Sequence, residues 1–149
     1  MHNPDAGKGR RLSTEELLKS IRAAGHKVDY QSSKEKKWHT ALENPGDMIA
    51  VAGGDGTVGK VARRLIGNPT PIAILPLGTA NNIASTLGMS DLTLKDVIAG
   101  WKVARCVHFD SAVAKGRGAR KILSRDLGWD CLPRRCSGST IQREKIWRM

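Results

Sequence analysis

The distribution of apolar residues along positions 1–110 predicts strands and helices in alternation. Two runs, at 47–52 and 71–75, are almost entirely apolar, which is typical of strands covered on both faces of a parallel sheet. Apolar residues recur at helical spacing in four further segments, at 13–24, 57–66, 80–87 and 92–99. This alternation predicts an open, mostly parallel α/β sheet with helices on both faces and right-handed crossovers.

Shorter patterns predict the remaining elements of this region. Ser13 and Glu16 have the spacing of a capping box at the start of the first helix, and Gly25 ends that helix. A short strand, a polar helix and a last strand are expected at 26–31, 34–43 and about 103–113.

The two ends of the chain depart from the alternation. Residues 1–4 have the composition of a loop, but no strand precedes them to position it. After Gly116 no helical or alternating pattern is visible. We therefore predict one α/β domain at 1–116. We also hypothesise that the chain is shortened at its front, and that 117–149 is a disordered tail or the product of a shifted reading frame.

The positive charge of the chain does not by itself identify a partner. The 149 residues suffice for one domain with its own core, and their net charge is +11. Residues 117–149 contribute nine basic and three acidic side chains, so about half of the excess lies there. No stripe of aromatic residues accompanies the charge. Attraction to anionic lipid or to a polyphosphate therefore explains it as well as nucleic-acid binding does.

Cysteines and apolar runs indicate the compartment. The three cysteines have no CxxC spacing, so we expect reduced, structurally incidental thiols rather than a disulfide framework or a zinc site. No apolar run approaches the roughly 20 residues of a membrane-spanning helix, and no secretion signal is recognisable. The expected location is cytoplasmic, with peripheral contact to a membrane surface.

The first apolar run leads directly into Gly53-Gly54-Asp55-Gly56-Thr57, here called loop 2. Its three glycines can adopt positive φ and direct their N–H groups at a phosphate, and the next helix adds the partial positive charge of its N-terminus. The carboxylate of Asp55 suits a metal ion, or a substrate hydroxyl whose proton it accepts. This combination predicts phosphoryl transfer.

Two other interpretations of loop 2 stay open with less support. The sequence also satisfies G-x-G-x-x-G, but a dinucleotide site would have an acid about 20 positions later. Positions 71–84 contain no Asp or Glu. A plain strand-to-helix turn is the second alternative, although one glycine would suffice for it.

Loop 1 (residues 3–10) is a basic loop in front of the first helix. Gly7 and Gly9 allow a tight backbone there, and Lys8 and Arg10 can neutralise phosphate oxygens. A structural role for this loop alone is an open alternative.

Loop 3 (residues 76–82) follows the second apolar run. Gly78 and Thr79 can present a backbone amide and a hydroxyl to a phosphate or ribose, and Thr79 can alternatively cap the next helix. Asn81 and Asn82 can bind the edges of a base or sugar. Because ligands of open α/β sheets bind beyond the carboxyl ends of the strands, loops 2 and 3 are expected to converge.

Together the three loops resemble the motifs of the diacylglycerol kinase catalytic domain. The matching residues are Asn3-Pro4 with Gly7 and Gly9, Gly53-Gly54-Asp55-Gly56-Thr57, and Pro76-Leu77-Gly78-Thr79-Ala80-Asn81-Asn82. The resemblance covers residues 2 to about 116. That family includes bacterial lipid kinases and the sphingosine and ceramide kinases, and it is distantly similar to NAD kinases and phosphofructokinases.

The resemblance implies an ATP-dependent kinase that transfers the γ-phosphoryl group to a lipid hydroxyl, such as that of diacylglycerol, with Mg²⁺ as cofactor. Asp55 would act near the γ-phosphoryl group, through Mg²⁺ or as a base, and no separate metal ligand is assigned. The nucleotide would lie over all three loops, against Asn3, Gly7, Gly53, Gly54, Gly56, Thr57, Gly78, Thr79 and Asn82.

Two departures from the family pattern lower the activity expected of this chain. Relatives continue into a β-rich second domain that shapes the lipid pocket, whereas 117–149 resemble nothing of that kind. Many relatives also carry an acid where Asn82 stands. We therefore expect weak or absent turnover. An NAD kinase-like phosphotransferase and a basic nucleic-acid-binding module remain the alternatives.

Overall fold

The computed structural model describes residues 1–7, 12–116, 119–124 and 140–148, with side chains described as far as Val107. One short 3₁₀ helix lies at Trp38–Leu42. The α-helices are Thr14–Ala23 (α1), Asp55–Arg64 (α2), Asn82–Thr86 (α3) and Leu94–Gly100 (α4). The strands are Ile49–Gly53 (β1), Ile72–Pro76 (β2), Arg105–Gly116 (β3), Ala119–Ser124 (β4) and Thr140–Arg148 (β5).

The five described strands form one sheet in the order β1-β2-β5-β3-β4. β1 and β2 are parallel, with Ile49 opposite Ile72 and Gly53 opposite Pro76. β5 is parallel to β2 and antiparallel to β3, and β4 is antiparallel to β3. The predicted α/β class is confirmed. Its parallel part, β1 and β2, carries loops 2 and 3 at the carboxyl ends of the strands.

The core lies against the two parallel strands. Val51 of β1 and Leu75 of β2 are fully buried, as expected for strands that are covered on both faces. Helix α2, whose Val61 is fully buried, packs on β1, while α3 and α4 contact β2. Burial of such side chains contributes roughly 1.5–3 kcal/mol each, so the end of each strand is firmly positioned.

Helix α1 begins as its sequence predicts. The Ser13 hydroxyl accepts a hydrogen bond from the Glu16 N–H at 3.1 Å, and the Glu16 carboxylate accepts one from the Ser13 N–H at 3.0 Å. Gly25 follows the helix with φ +84°. Capping box and stop signal are both confirmed. None of the helices in the described part of the chain has the length and apolar composition needed to cross a bilayer.

Two predicted elements are wrong. Residues 26–31 are not a strand. Next to them Ser32 forms an isolated bridge, because the adjacent segment pairs with it through a single residue, His2, and not through a run of paired residues. Within 34–43, only Trp38–Leu42 is helical, as a 3₁₀ helix. The residues before Trp38 are exposed and charged, so they have no apolar face to stabilise a longer helix.

Loop 1 is held by backbone pairing at the carboxyl end of β1. His2 pairs in parallel with both Ser32 and Ala52. The Asn3 N–H donates to the Ala52 carbonyl at 2.9 Å, and the Ala52 N–H donates to the Met1 carbonyl at 2.8 Å. Met1, His2 and Asn3 thus position loop 1, although the sequence indicated no strand in front of that loop.

Strands β4 and β5 lie within 117–149, where the sequence predicted no regular element. β5 pairs with β3 from Arg105 opposite Arg148 to Val113 opposite Thr140. The apolar residues of β5 stand at its two ends with four polar residues between them, so no alternation marks the strand. The boundary at 116 and the origin of the tail stay predictions.

Candidate active site

Loop 2 joins β1 to α2 without an intervening turn. Gly54 is the N-cap of α2, with φ −94°, and its carbonyl accepts hydrogen bonds from the N–H groups of Thr57 at 2.9 Å and Val58 at 3.1 Å. The expected positive φ of Gly53, Gly54 and Gly56 is wrong. The described glycines with positive φ are Gly7, Gly25, Gly67 and Gly88. Loop 2 therefore uses glycine for another reason.

That reason is close approach. A Cβ on Gly53 would lie 2.8 Å from the Thr57 side chain, and a Cβ on Gly54 would lie 3.0 Å from the Gly78 Cα. The Leu77 N–H also donates to the Gly53 carbonyl at 3.1 Å. Loops 2 and 3 thus touch backbone to backbone, and the predicted convergence of the two loops is present in the structure.

Asn81 holds loop 3 in shape. It is the N-cap residue of α3 and has the left-handed conformation, with φ 52° and ψ 42°. Its Oδ1 accepts a hydrogen bond from the Gly78 N–H, and its Nδ2 donates to the Gly78 carbonyl, both at 2.8 Å. The side chain is thereby used inside loop 3 and makes no cap hydrogen bond. The alternative in which Thr79 caps this helix is wrong, because α3 begins only at Asn82.

The carboxylate of Asp55 caps α3 instead. Its Oδ2 accepts hydrogen bonds from the Asn82 N–H at 3.0 Å and from Asn82 Nδ2 at 3.3 Å. Its Oδ1 accepts one from the Ile83 N–H at 3.0 Å. The first residue of α2 thus satisfies the first N–H groups of α3, which is what a local cap residue ordinarily does. The sequence carries no signal for this contact, because Asn81 is itself a favoured cap residue.

Loop 1 joins the other two through Asn3 and Gly7. Asn3 Nδ2 donates to the Thr57 Oγ1 at 3.3 Å. Gly7 has φ +85°, and a Cβ there would lie 2.7 Å from the Leu77 carbonyl oxygen. Each described loop therefore contacts another at the same edge of the sheet. The predicted contributions of three residues fall outside the described residues, namely Lys8, Gly9 and Arg10.

Two lysine side chains near the loops already have partners within the protein. Lys34 forms an ion pair with Asp5 of loop 1 at 3.0 Å. Lys60 of α2 donates to the Ser33 carbonyl at 3.1 Å, and its ammonium lies 4.4 Å from the centre of the Trp38 ring. Over the described ranges, no three His, Cys, Asp or Glu side chains could share a metal ion. A Mg²⁺ ion at loop 2 would therefore depend on one carboxylate and on ligand phosphates, a donor set that Mg²⁺ commonly uses.

A cavity of about 500 Å³ lies apart from these loops. Its lining includes Met1, Ile21, Met48 and Trp101, and neither loop 2 nor loop 3 contributes to it. A polar ligand at the loops would accordingly bind at the open rim of the sheet, where the strands end.

Comparison with known proteins identifies the family to which this arrangement belongs. The sequence model of the diacylglycerol kinase catalytic domain matches residues 1–111. The chain belongs to that family. The match contains all three loops together with β1, α2, β2, α3 and α4.

Relatives of this diacylglycerol kinase-type chain are longer than it is. It is 36% identical over 107 residues to a probable lipid kinase YegS of Escherichia fergusonii, and the match covers 62% of this chain and 36% of the relative. It is 32% identical over 107 residues to a diacylglycerol kinase of Staphylococcus carnosus, covering 65% of this chain and 34% of the relative. The chain thus spans about a third of the length of the curated relatives it matches.

A solved structure agrees with the family assignment. The fold is similar to the crystal structure of a diacylglycerol kinase from Bacillus anthracis, with a TM-score of 0.57 and 27% sequence identity. The similarity covers 74% of this chain and 43% of that one. The α/β fold is therefore shared between this chain and that solved structure.

Proposed function

We propose that this chain is the nucleotide-binding part of a lipid kinase, which binds ATP with Mg²⁺ across loops 1 to 3. The γ-phosphoryl group would be transferred to a lipid hydroxyl such as that of diacylglycerol. One observation carries the proposal. The three loops meet at the carboxyl edge of β1 and β2, where Asp55 contacts Asn82 at 3.0 Å.

The geometry of loop 2 supports phosphate binding. Helix α2 begins at Asp55, and the N–H groups of its first two residues, Asp55 and Gly56, stand too early in the helix to have an acceptor within it. A Cβ built on Gly56 would meet nothing within 4 Å, so a ligand can approach the backbone at that residue. The helix N-terminus adds partial positive charge, which favours an anion such as a triphosphate.

Asp55 supplies the acid near the transferred group. The oxygen of the lipid hydroxyl would form a bond to the γ-phosphorus while the bond to the oxygen bridging the β- and γ-phosphates breaks and ADP leaves. Asp55 would accept the hydroxyl proton, or its carboxylate would hold Mg²⁺ beside the phosphates. When bound, Mg²⁺ offsets the negative charge of the phosphates.

The nucleotide would then be lined by Asn3, Gly53, Gly54, Thr57, Gly78, Thr79 and Asn82. Gly7 would shape loop 1 beside them. The acceptor is a lipid, so we infer contact with a membrane surface from the cytoplasmic side. The basic balance of the chain, +11, favours an anionic surface of that kind.

Thermal unfolding with and without Mg²⁺ and ATP tests the proposal. A ligand that binds only the folded state at 100 times its Kd stabilises it by about 2.7 kcal/mol. Millimolar MgATP should therefore raise Tm, and Gly54→Val should abolish this increase, because its side chain would collide with Gly78. Gly59→Ala, whose Cβ has only a flexible arginine side chain nearby at 3.6 Å, is the matched control. An unchanged Tm of the folded wild-type chain would contradict nucleotide binding.

Transfer is measured with labelled ATP and mixed micelles that contain diacylglycerol. A salt titration separates the nucleic-acid alternative. Nucleic-acid affinity would fall steeply with ionic strength and would survive Asp55→Asn, whereas this substitution would weaken MgATP binding.

A further inference from the structure

We propose that Asp55 is a positioning residue, which holds loop 3 and α3 against loop 2 as the cap of a helix that has no local cap. The inference rests on the proposed function for its consequence, namely that this contact keeps Asn82 in place for a nucleotide. In this role Asp55 acts before phosphoryl transfer, and the role needs no metal ion.

Helix α3 lacks a cap of its own. Asn81 stands at the N-cap position, but its left-handed backbone and its two hydrogen bonds to Gly78 commit it to loop 3. The leading N–H groups of any helix need partners from outside the helix. For Asn82 and Ile83 those partners are the two oxygens of Asp55, at 3.0 Å each.

The Asp55 carboxylate can accept more hydrogen bonds than the cap uses. Its two oxygens offer about four acceptor positions. Three of them are occupied by the two Asn82 donors and by the Ile83 N–H. One position remains for a metal ion or a substrate hydroxyl. Capping and a role near phosphate are therefore compatible in a single residue.

Among the described residues, few other contacts hold loop 3 against loop 2. The Leu77 N–H donates to the Gly53 carbonyl, and Gly78 rests on Gly54. Both contacts lie at the start of loop 3, at its junction with β2. At the other end of the loop, where α3 begins, Asp55 of loop 2 accepts the three hydrogen bonds described above. Loss of its charge should free that end.

The test compares Asp55→Asn with Asp96→Asn. Asp96 is the N3 residue of the capping box of α4, where its carboxylate accepts a hydrogen bond from the Thr93 N–H at 3.0 Å, but it belongs to none of the three loops. The probe is ADP in the presence of EDTA, and its affinity is measured by titration calorimetry on the full 149-residue chain. Asp55→Asn keeps the shape of the side chain but turns an NH₂ group toward a backbone donor.

We expect Asp55→Asn to weaken metal-free ADP binding about fivefold, the factor that corresponds to one lost helix cap. Asp96→Asn should leave ADP affinity unchanged. Wild-type affinity of Asp55→Asn in EDTA, with a loss seen only when Mg²⁺ is added, would overturn the proposal, because Asp55 would then act through the metal alone.

Amide hydrogen exchange provides the second measurement. In Asp55→Asn the amides of Asn82 and Ile83 should exchange faster, while amides in α4 keep their wild-type rates. If the wild-type chain binds no nucleotide at all, the proposed function fails, and exchange alone decides the positioning role. Unchanged exchange at Ile83 would then refute it. Should Asp55→Asn fail to fold, Asp55→Ser, which is too short to reach α3, replaces it in both measurements.

Discussion

A Cβ on Gly78 would lie 2.4 Å from the Cα of Gly54. Side chains never approach a backbone that closely, so loops 2 and 3 can be in contact only while both positions are glycine. The contact brings the end of β1 beside the end of β2 and places Asp55 within reach of α3. A requirement for glycine thus comes from tertiary packing between two loops, since neither residue has positive φ.

Gly78→Ala should therefore separate the two loops. The added methyl group would meet the Gly54 backbone, which cannot yield as a side chain can, and would also lie 2.7 Å from Asn81 Oδ1. We therefore expect a loss of about 1–3 kcal/mol in the free energy of unfolding. Gly56→Ala is the control, because a Cβ there meets nothing within 4 Å, and its effect should stay within about 0.5 kcal/mol. Urea denaturation measures both variants. Equal stability of Gly78→Ala and the wild type would show that the loops are not packed in this way.

The hydrogen bond from Asn3 to Thr57 should couple loop 1 to loop 2. Asn3 also accepts a hydrogen bond from the Asp5 N–H at 3.2 Å, so Asn3→Ala alone loses more than one contact. A double-mutant cycle with Thr57→Val isolates the pair. We expect the double variant to be less destabilised than the sum of the single variants by about 0.5–1 kcal/mol. Strict additivity in denaturant titrations would mean that the two side chains do not interact.

His2 should make the fold sensitive to acid. Burial, and secondarily the positive charge of the chain terminus, lower the pKa of His2 below its usual 6.5. The unfolded chain therefore binds the proton more readily than the folded one. This contribution to stability is intact above pH 6.5 and declines as the pH falls below it.

His2→Asn provides the control for that pH dependence. Burial also lowers the pKa of the Met1 amino group to about 6, which destabilises the fold in the same direction as the pH falls from 8 to 6. The difference between wild type and His2→Asn removes the Met1 contribution. We expect this difference in unfolding free energy to change between pH 7.5 and pH 5. A difference that is constant over this interval would contradict the assigned shift.

Much of the parallel half of the fold follows from local patterns. The two apolar runs became β1 and β2, and the capping box of α1 formed between Ser13 and Glu16, because these signals need no distant partner. The strand predicted at 26–31 failed for the opposite reason. A strand exists only when a neighbour pairs with it, and the sequence of the segment itself does not encode that neighbour.

The candidate site divides in the same way. Topology alone placed loops 2 and 3 at one edge, since both follow parallel strands. The role of Asp55 as the cap of α3 could not be predicted, because it depends on Asn81 turning away into a left-handed conformation. The use of Gly54 was likewise misassigned to φ rather than to its close contact with Gly78, a distinction that only three-dimensional packing makes.

Asn81 itself offers the last prediction. Its left-handed backbone costs an ordinary residue roughly 1–2 kcal/mol, and its side chain holds Gly78 through two hydrogen bonds of 2.8 Å. Asn81→Ala should lose both advantages, whereas Asn81→Gly loses the hydrogen bonds but adopts the backbone conformation freely. We therefore expect both variants to be destabilised in urea denaturation, with the alanine variant less stable than the glycine variant by about 1 kcal/mol. If the order is reversed, position 81 is not left-handed in solution, and the reason for which Asp55 must cap α3 disappears with it.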